Sequence, residues 1–155
     1  MTRMIEAIIK KINTERANLG ITLYNQASEA DISTFEKIKG VILPDDLKTF
    51  YTFSNGFESK EDLFRIIPLH EILENTPSNY TVGIKDFHIA EYLLYCDMWT
   101  ITIDPQDRNN YSIYRKVDGQ FTLTNSFADF LDRFLRAGVF HGLYKWEEEI
   151  YQGKT

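Results

Sequence analysis

Three histidines, a single cysteine and a few clustered carboxylates are where this chain of 155 residues could carry chemistry. His70 opens the run HEILE, the first half of a zinc-protease helix, in which two imidazoles one turn apart grip the metal and a glutamate serves as base. Position 74 holds Glu74 instead of the second imidazole, so His70 reads as a surface or capping residue. His88 alternates with Phe87 and Ile89 and reads as a satisfied strand residue, and His141 stands beside Gly142 in a turn. Cys96 would need a basic neighbour to act as a thiolate nucleophile; it sits among strand aromatics and reads as a buried, inert thiol. Asp104 and Asp107 could form an acid–base or metal-binding pair, but the run DPQDRNN around them has the composition of a turn or longer loop. No G-x-S-x-G elbow, Walker loop, dinucleotide fingerprint or paired-cysteine zinc pattern occurs. These residues give no catalytic group, metal or cofactor; an enzyme would need Asp104, His88 or Glu71 to converge in a cleft. Glu58, Glu61 and Asp62 make a second acidic run, read either as solvated surface or as a patch facing a partner. Trp99 and Trp146 read as packing residues, with an interface anchor as the alternative.

The elements that must position these groups follow from periodicity. Ile5, Ile8, Ile9 and Ile12 predict an amphipathic helix over 4–18, closed near Gly20. Ser28 and Asp31 resemble a capping box for a helix whose buried stripe is Ile32, Phe35 and Ile38 and whose left-handed C-cap is Gly40. Pro44 pre-sets the first turn of a third helix with Leu47, Phe50 and Tyr51 on its apolar face, ended by Asn55-Gly56. Beyond Gly56 the period shifts toward two. LFRII reads as a strand stopped by Pro68, LHEIL as about one helical turn, and SNYTVG as loop. FHIAEYLLYC, MWTITID and YSIYRK read as strands, and Asp118-Gly119 as a hairpin turn before QFTLT. Ser126 with Asp129 caps a strongly apolar helix (Phe127, Phe130, Leu131, Phe134, Leu135) that ends at Gly138, and the tail holds another short helix. Helices, then strands, then helices is an α+β order.

The bulk properties set limits. One domain spanning 1–155 suits this length, and a chain of this size buries about 68–70% of its unfolded surface, enough to fold without a staple. The single cysteine rules out an intrachain disulfide and fits a reducing compartment. The charged N-terminus lacks a signal-peptide core, and no run approaches 18 apolar residues, so the expectation is a cytoplasmic protein that does not enter the membrane. A net charge of −6 disfavours nucleic acid as a ligand and suits a basic protein partner, though it also suits mere solubility.

The stretch from Phe35 to Phe57 resembles the signature of the SUKH superfamily, the domain shared by bacterial immunity proteins and fungal regulators of cell-wall synthesis. The motif positions are Ile32, Phe35, Glu36, Gly40, Leu43, Pro44, Asp46, Leu47, Phe50, Tyr51, Asn55 and Gly56. FRIIPLHEI is similar to the family's Pro-Leu-x-Glu-Ile step through Ile67, Pro68, Leu69, Glu71 and Ile72, and NSFADFLDRFL to its closing helix. The resemblance spans about 28–137 and departs from the family where IAEYLLYCD replaces a glycine-rich turn. It implies a single α+β domain with an antiparallel-dominated sheet of about five or six strands, packed by N- and C-terminal helices. It further implies a non-enzymatic immunity protein that binds a polymorphic toxin domain with a basic surface; the alternative is an intracellular scaffold or regulator that binds a host protein. In this reading Glu36, Gly40, Leu43, Pro44, Asn55, Gly56 and Pro68 are frame, and the toxin-contacting residues are Glu58, Glu61, Asp62, Asp104 and Asp107.

Overall fold

Seven strands in sequential order form one sheet, and every neighbouring pair is antiparallel. The structure, a computed structural model, describes residues 2–74, 85–116 and 120–152. The strands are β1 (Ile21–Leu23), β2 (Phe57–Ser59), β3 (Phe64–Ile66), β4 (Phe87–Tyr92), β5 (Asp97–Asp104), β6 (Asp107–Lys116) and β7 (Gln120–Thr124). The helices are α1 (Thr2–Leu19), α2 (Glu29–Lys39), α3 (Asp45–Phe53), α4 (Leu69–Glu74), α5 (Phe127–Ala137) and α6 (Lys145–Gln152), with a π-helical segment at Gly138–Tyr144. The α+β class and the helix-packed antiparallel sheet are as the sequence implied. The extra strands are β1 and β2, three residues each, too short for alternation to register. SNYTVG and Asp118-Gly119 lie outside the described residues.

Alternation sorts the sheet into two faces. Phe57, Phe64, Trp99, Ile101 and Ile113 point to one face and are fully buried. Phe64 stacks on Phe134 of α5 with ring centroids 4.0 Å apart, and Trp99 meets Phe64, Phe130 and Tyr144 at 5.7–6.0 Å. Phe50 of α3 reaches Phe57 and Phe127 edge-on, so α3 and α5 share one aromatic core with the sheet, and Ile5 and Ile12 of α1 close it.

Local chemistry sets the helix limits. The Ser28 side chain accepts from the Asp31 N–H and the Asp31 carboxylate accepts from the Ser28 N–H, a complete capping box. Gly40 ends α2 with φ 76°. Ile38, expected in the buried stripe of α2, is exposed, because Ile32 and Phe35 already fill that helix's contact with the core. Ser126 caps α5 by accepting from the Asp129 N–H.

Glu36 shows how the motif works. From α2 its carboxylate accepts the Leu43 N–H at 2.7 Å and pairs with Lys48 at 3.4 Å, so one side chain fixes the chain path between α2 and α3. Replacing Glu36 with Ala should cost about 1–2 kcal/mol in urea unfolding, whereas Glu36→Gln, which keeps an acceptor for the Leu43 N–H, should recover most of it.

Candidate interaction surface

In a sequential antiparallel sheet, successive turns alternate between the two ends. The turn joining β2 to β3 (residues 60–63) and the turn joining β4 to β5 (residues 93–96) therefore share one end. The β5–β6 turn at Pro105-Gln106 lies at the other. The acidic residues singled out in the sequence accordingly separate: Glu58, Glu61 and Asp62 stand at the first end, Asp104 and Asp107 at the second.

The first end is built on a polar network on the sheet face opposite the aromatic core. Arg65 of β3 pairs with Glu71 of α4 at 2.6 Å and approaches the buried Glu91 of β4 at 3.5 Å. The Tyr95 hydroxyl donates to Glu71, and the Tyr95 N–H donates to Glu91. Burial, followed by the Glu71 carboxylate, raises the Tyr95 pKa, so this phenol stays protonated and remains a donor. Across the two turns the Leu93 N–H donates to the Leu63 carbonyl at 2.9 Å. On the core face, Tyr92 packs edge-on against Phe140 of the π-helical segment, and the Asp62 carboxylate lies over Gly138. Tyr144 in turn donates to Asp97, which pairs with Arg115, itself held by Glu147 of α6. The turns thus sit on a cross-braced base.

The second end is tied to α3. DPQDRNN is not a long loop: Asp104 closes β5, Asp107 opens β6, and two residues form the turn. Asn109 accepts the Asp45 N–H and donates to the Asp45 carboxylate, and Arg108 pairs with Asp45 at 2.8 Å, so the hairpin clamps the start of α3. Beside it lies a cleft of about 800 Å³ lined by Val41, Ile42, Ile103, Asp104, Lys37 and Lys85, among others. Asp104 thus shares the lining of that cleft with two lysines and Glu36.

The histidines and the cysteine fall in separate places. His88 Nδ1 lies 2.8 Å from the Thr100 hydroxyl across β4–β5, and burial together with Lys39 lowers its pKa. Glu71 is engaged with Arg65 and Tyr95, and Asp104 accepts the Gln106 N–H and an Asn110 amide. The three groups that an enzyme reading requires thus belong to three local networks. His70 is exposed on α4, and His141 lies in the π-helical segment, not in a turn. Cys96, expected to be buried, is exposed, because β4 ends at Tyr92 and residues 93–96 turn out of the sheet. Among the described residues no cluster of three His, Cys, Asp or Glu could hold a metal ion, and no helix is long and apolar enough to cross a membrane.

What sequence reasoning missed is the apolar character of the first end. Leu63, Leu93, Leu94 and Phe140 are exposed there. The one signal was IAEYLLYCD, the stretch that departs from the glycine-rich turn of the family pattern. A family model described as SMI1 / KNR4 family (SUKH-1) matches residues 26–133 of the chain. No curated protein matches it.

Proposed function

The chain belongs to the SMI1 / KNR4 family (SUKH-1), and from that premise we propose that it is a cytoplasmic immunity protein, non-enzymatic, that binds a polymorphic toxin domain and blocks it sterically. The family is generally non-catalytic and is associated with protein binding. The observation that carries the reading is the acidic edge Glu58, Glu61 and Asp62, presented on a short hairpin over the Arg65–Glu71–Glu91 base. Short, braced turns hold their side chains in place before the partner arrives, which lowers the ordering cost of binding. A specific complex would bury about 1,200–2,000 Å² in total, an area that one end of this domain can supply. We assign the contact to the Glu58 end, since at the other Asp104 accepts the Gln106 N–H and the Asn110 amide, and Asp107 accepts the Asn109 N–H, so both carboxylates are engaged within their own hairpin.

Co-expression with the reading frame adjacent to this one tests the proposal, scored by rescue of growth and co-purification. Rescue without any complex would overturn steric blocking; no rescue, with a complex to a housekeeping protein instead, would replace immunity with the regulatory alternative. If the acidic edge steers encounter, reversing Glu58, Glu61 and Asp62 to lysine should slow association with the toxin domain about 10-fold or more at low salt and flatten its salt dependence. Stopped-flow mixing reads both, and the same reversal at Asp104 and Asp107 should leave the on-rate unchanged.

A further inference from the structure

All four non-glycine residues with positive φ among the described residues lie in the two turns of the Glu58 end: Leu63 at 54°, Leu93 at 54°, Leu94 at 55° and Tyr95 at 66°. The left-handed region costs an L-residue roughly 1–2 kcal/mol, and leucine, unlike asparagine, has no side-chain polar group to recover any of it locally. Three such residues in succession persist because their surroundings over-determine them. The Leu93 N–H bonds across to Leu63, the Cys96 N–H returns to the Leu93 carbonyl, and Tyr95 is tied to Glu91 and Glu71.

The strained turns display apolar side chains. Leu94 is 88% exposed, Leu63 55% and Leu93 39%, and Phe140, against Tyr92, is 61% exposed. An exposed leucine on a left-handed backbone serves neither the core nor the turn, since asparagine or glycine would suit the turn better. The turn that carries Leu63 also holds Glu61 and Asp62, with Lys60 before them; Glu58 lies in β2 opposite Arg65, and His141 follows Phe140.

We propose that Leu63, Leu93, Leu94 and Phe140 form the docking surface for the toxin domain, inserting into an apolar recess on the partner that is bordered by lysine or arginine side chains. The assignment rests on the immunity reading above and adds where the contact lies and what the partner must present. Glu61 and Asp62 select the occupant. Two copies of this chain meeting through the same surface would oppose like charges, and an anionic lipid surface would be repelled. A basic protein surface meets both the charge and the apolar cluster, the arrangement of hydrophobic anchors within a polar rim that stable interfaces show.

Leu63→Asn and Leu94→Asn test it, because asparagine accepts the left-handed backbone and removes the apolar group. The variants should unfold at the same temperature as the wild type or higher. Binding of the double variant to the toxin domain encoded by the adjacent reading frame, by titration calorimetry, should weaken at least about 30-fold. Ile42→Asn, at the opposite end, should bind as the wild type does. A folded double variant that binds with wild-type affinity overturns the docking surface while leaving the immunity reading intact. A wild-type chain that forms no complex with that domain overturns the immunity reading, and the surface then loses its occupant.

Discussion

Gly56→Ala should destabilise the domain by about 3–5 kcal/mol, among the largest effects a single methyl group can have here. The residue adopts φ 97°, where an alanine is strained before any neighbour is considered. A Cβ there would also stand 2.2 Å from the Ile66 carbonyl oxygen and 3.2 Å from Pro68 N. Both are backbone atoms, so no rotamer change relieves the clash. The close approach is structural: the Gly56 carbonyl accepts from the Tyr24 N–H and from the Ser54 hydroxyl, Asn55 Oδ1 accepts the Leu69 N–H, and the Tyr51 hydroxyl donates to the Ile67 carbonyl. The Asn-Gly pair therefore locks the end of α3 to β1 and to the β3–α4 junction. Alanine should separate those backbones and lower the urea midpoint without changing its slope. Asn55→Ala, which removes one acceptor from a half-buried N–H, should cost far less, about 1–2 kcal/mol.

The Gly56 result also marks what the sequence made legible. Capping boxes, the Gly40 stop and the Pro44 start act over a few residues, so Ser28, Asp31 and Gly40 could be read locally, and the structure places them as expected. The core stripe of α5 was equally plain, since Phe127, Phe130, Leu131, Phe134 and Leu135 repeat at helical spacing and all are buried. The misses share a cause: each depends on partners distant in sequence. Nothing within FHIAEYLLYC indicates that Leu93 will bond to Leu63, thirty positions earlier, and so turn the chain out of its strand and expose Cys96. The separation of Asp104 from Glu58 is set by the parity of hairpins across the sheet, a property of topology and not of composition. Asp46, read as one motif position among several, has its partner 65 residues away.

That partner gives the second large effect. Asp46, in the first turn of α3, is buried; its Oδ2 accepts the Tyr111 hydroxyl of β6 at 2.5 Å, and the same hydroxyl oxygen accepts the Phe127 N–H at the start of α5. One phenol thus joins α3, the sheet and α5. Asp46 Oδ1 is buried without a hydrogen-bond partner. Tyr111→Phe would strip the donor from a buried carboxylate and the acceptor from a buried N–H together, a loss of about 3–5 kcal/mol. The pH dependence has a definite sign. Burial raises the Asp46 pKa above the ordinary 3.8, outweighing the Tyr111 hydrogen bond. A carboxyl with a raised folded pKa contributes its full stability below the unfolded value and loses it as pH climbs through the folded one. The Tyr111→Phe loss should therefore be larger at neutral than at mildly acidic pH, where Asp46 can protonate. Asp46→Asn keeps an acceptor for Tyr111, needs no buried charge, and should stay within about 1 kcal/mol of the wild type at neutral pH, offset by the charge it removes from the helix N-terminus. In the double variant the loss should fall short of the sum of the two, by about 1–2 kcal/mol, because the uncompensated carboxylate is gone. Additive losses in urea unfolding, identical at both pH values, would mean that the phenol acts on Phe127 alone and that Asp46 carries no charge in the folded protein.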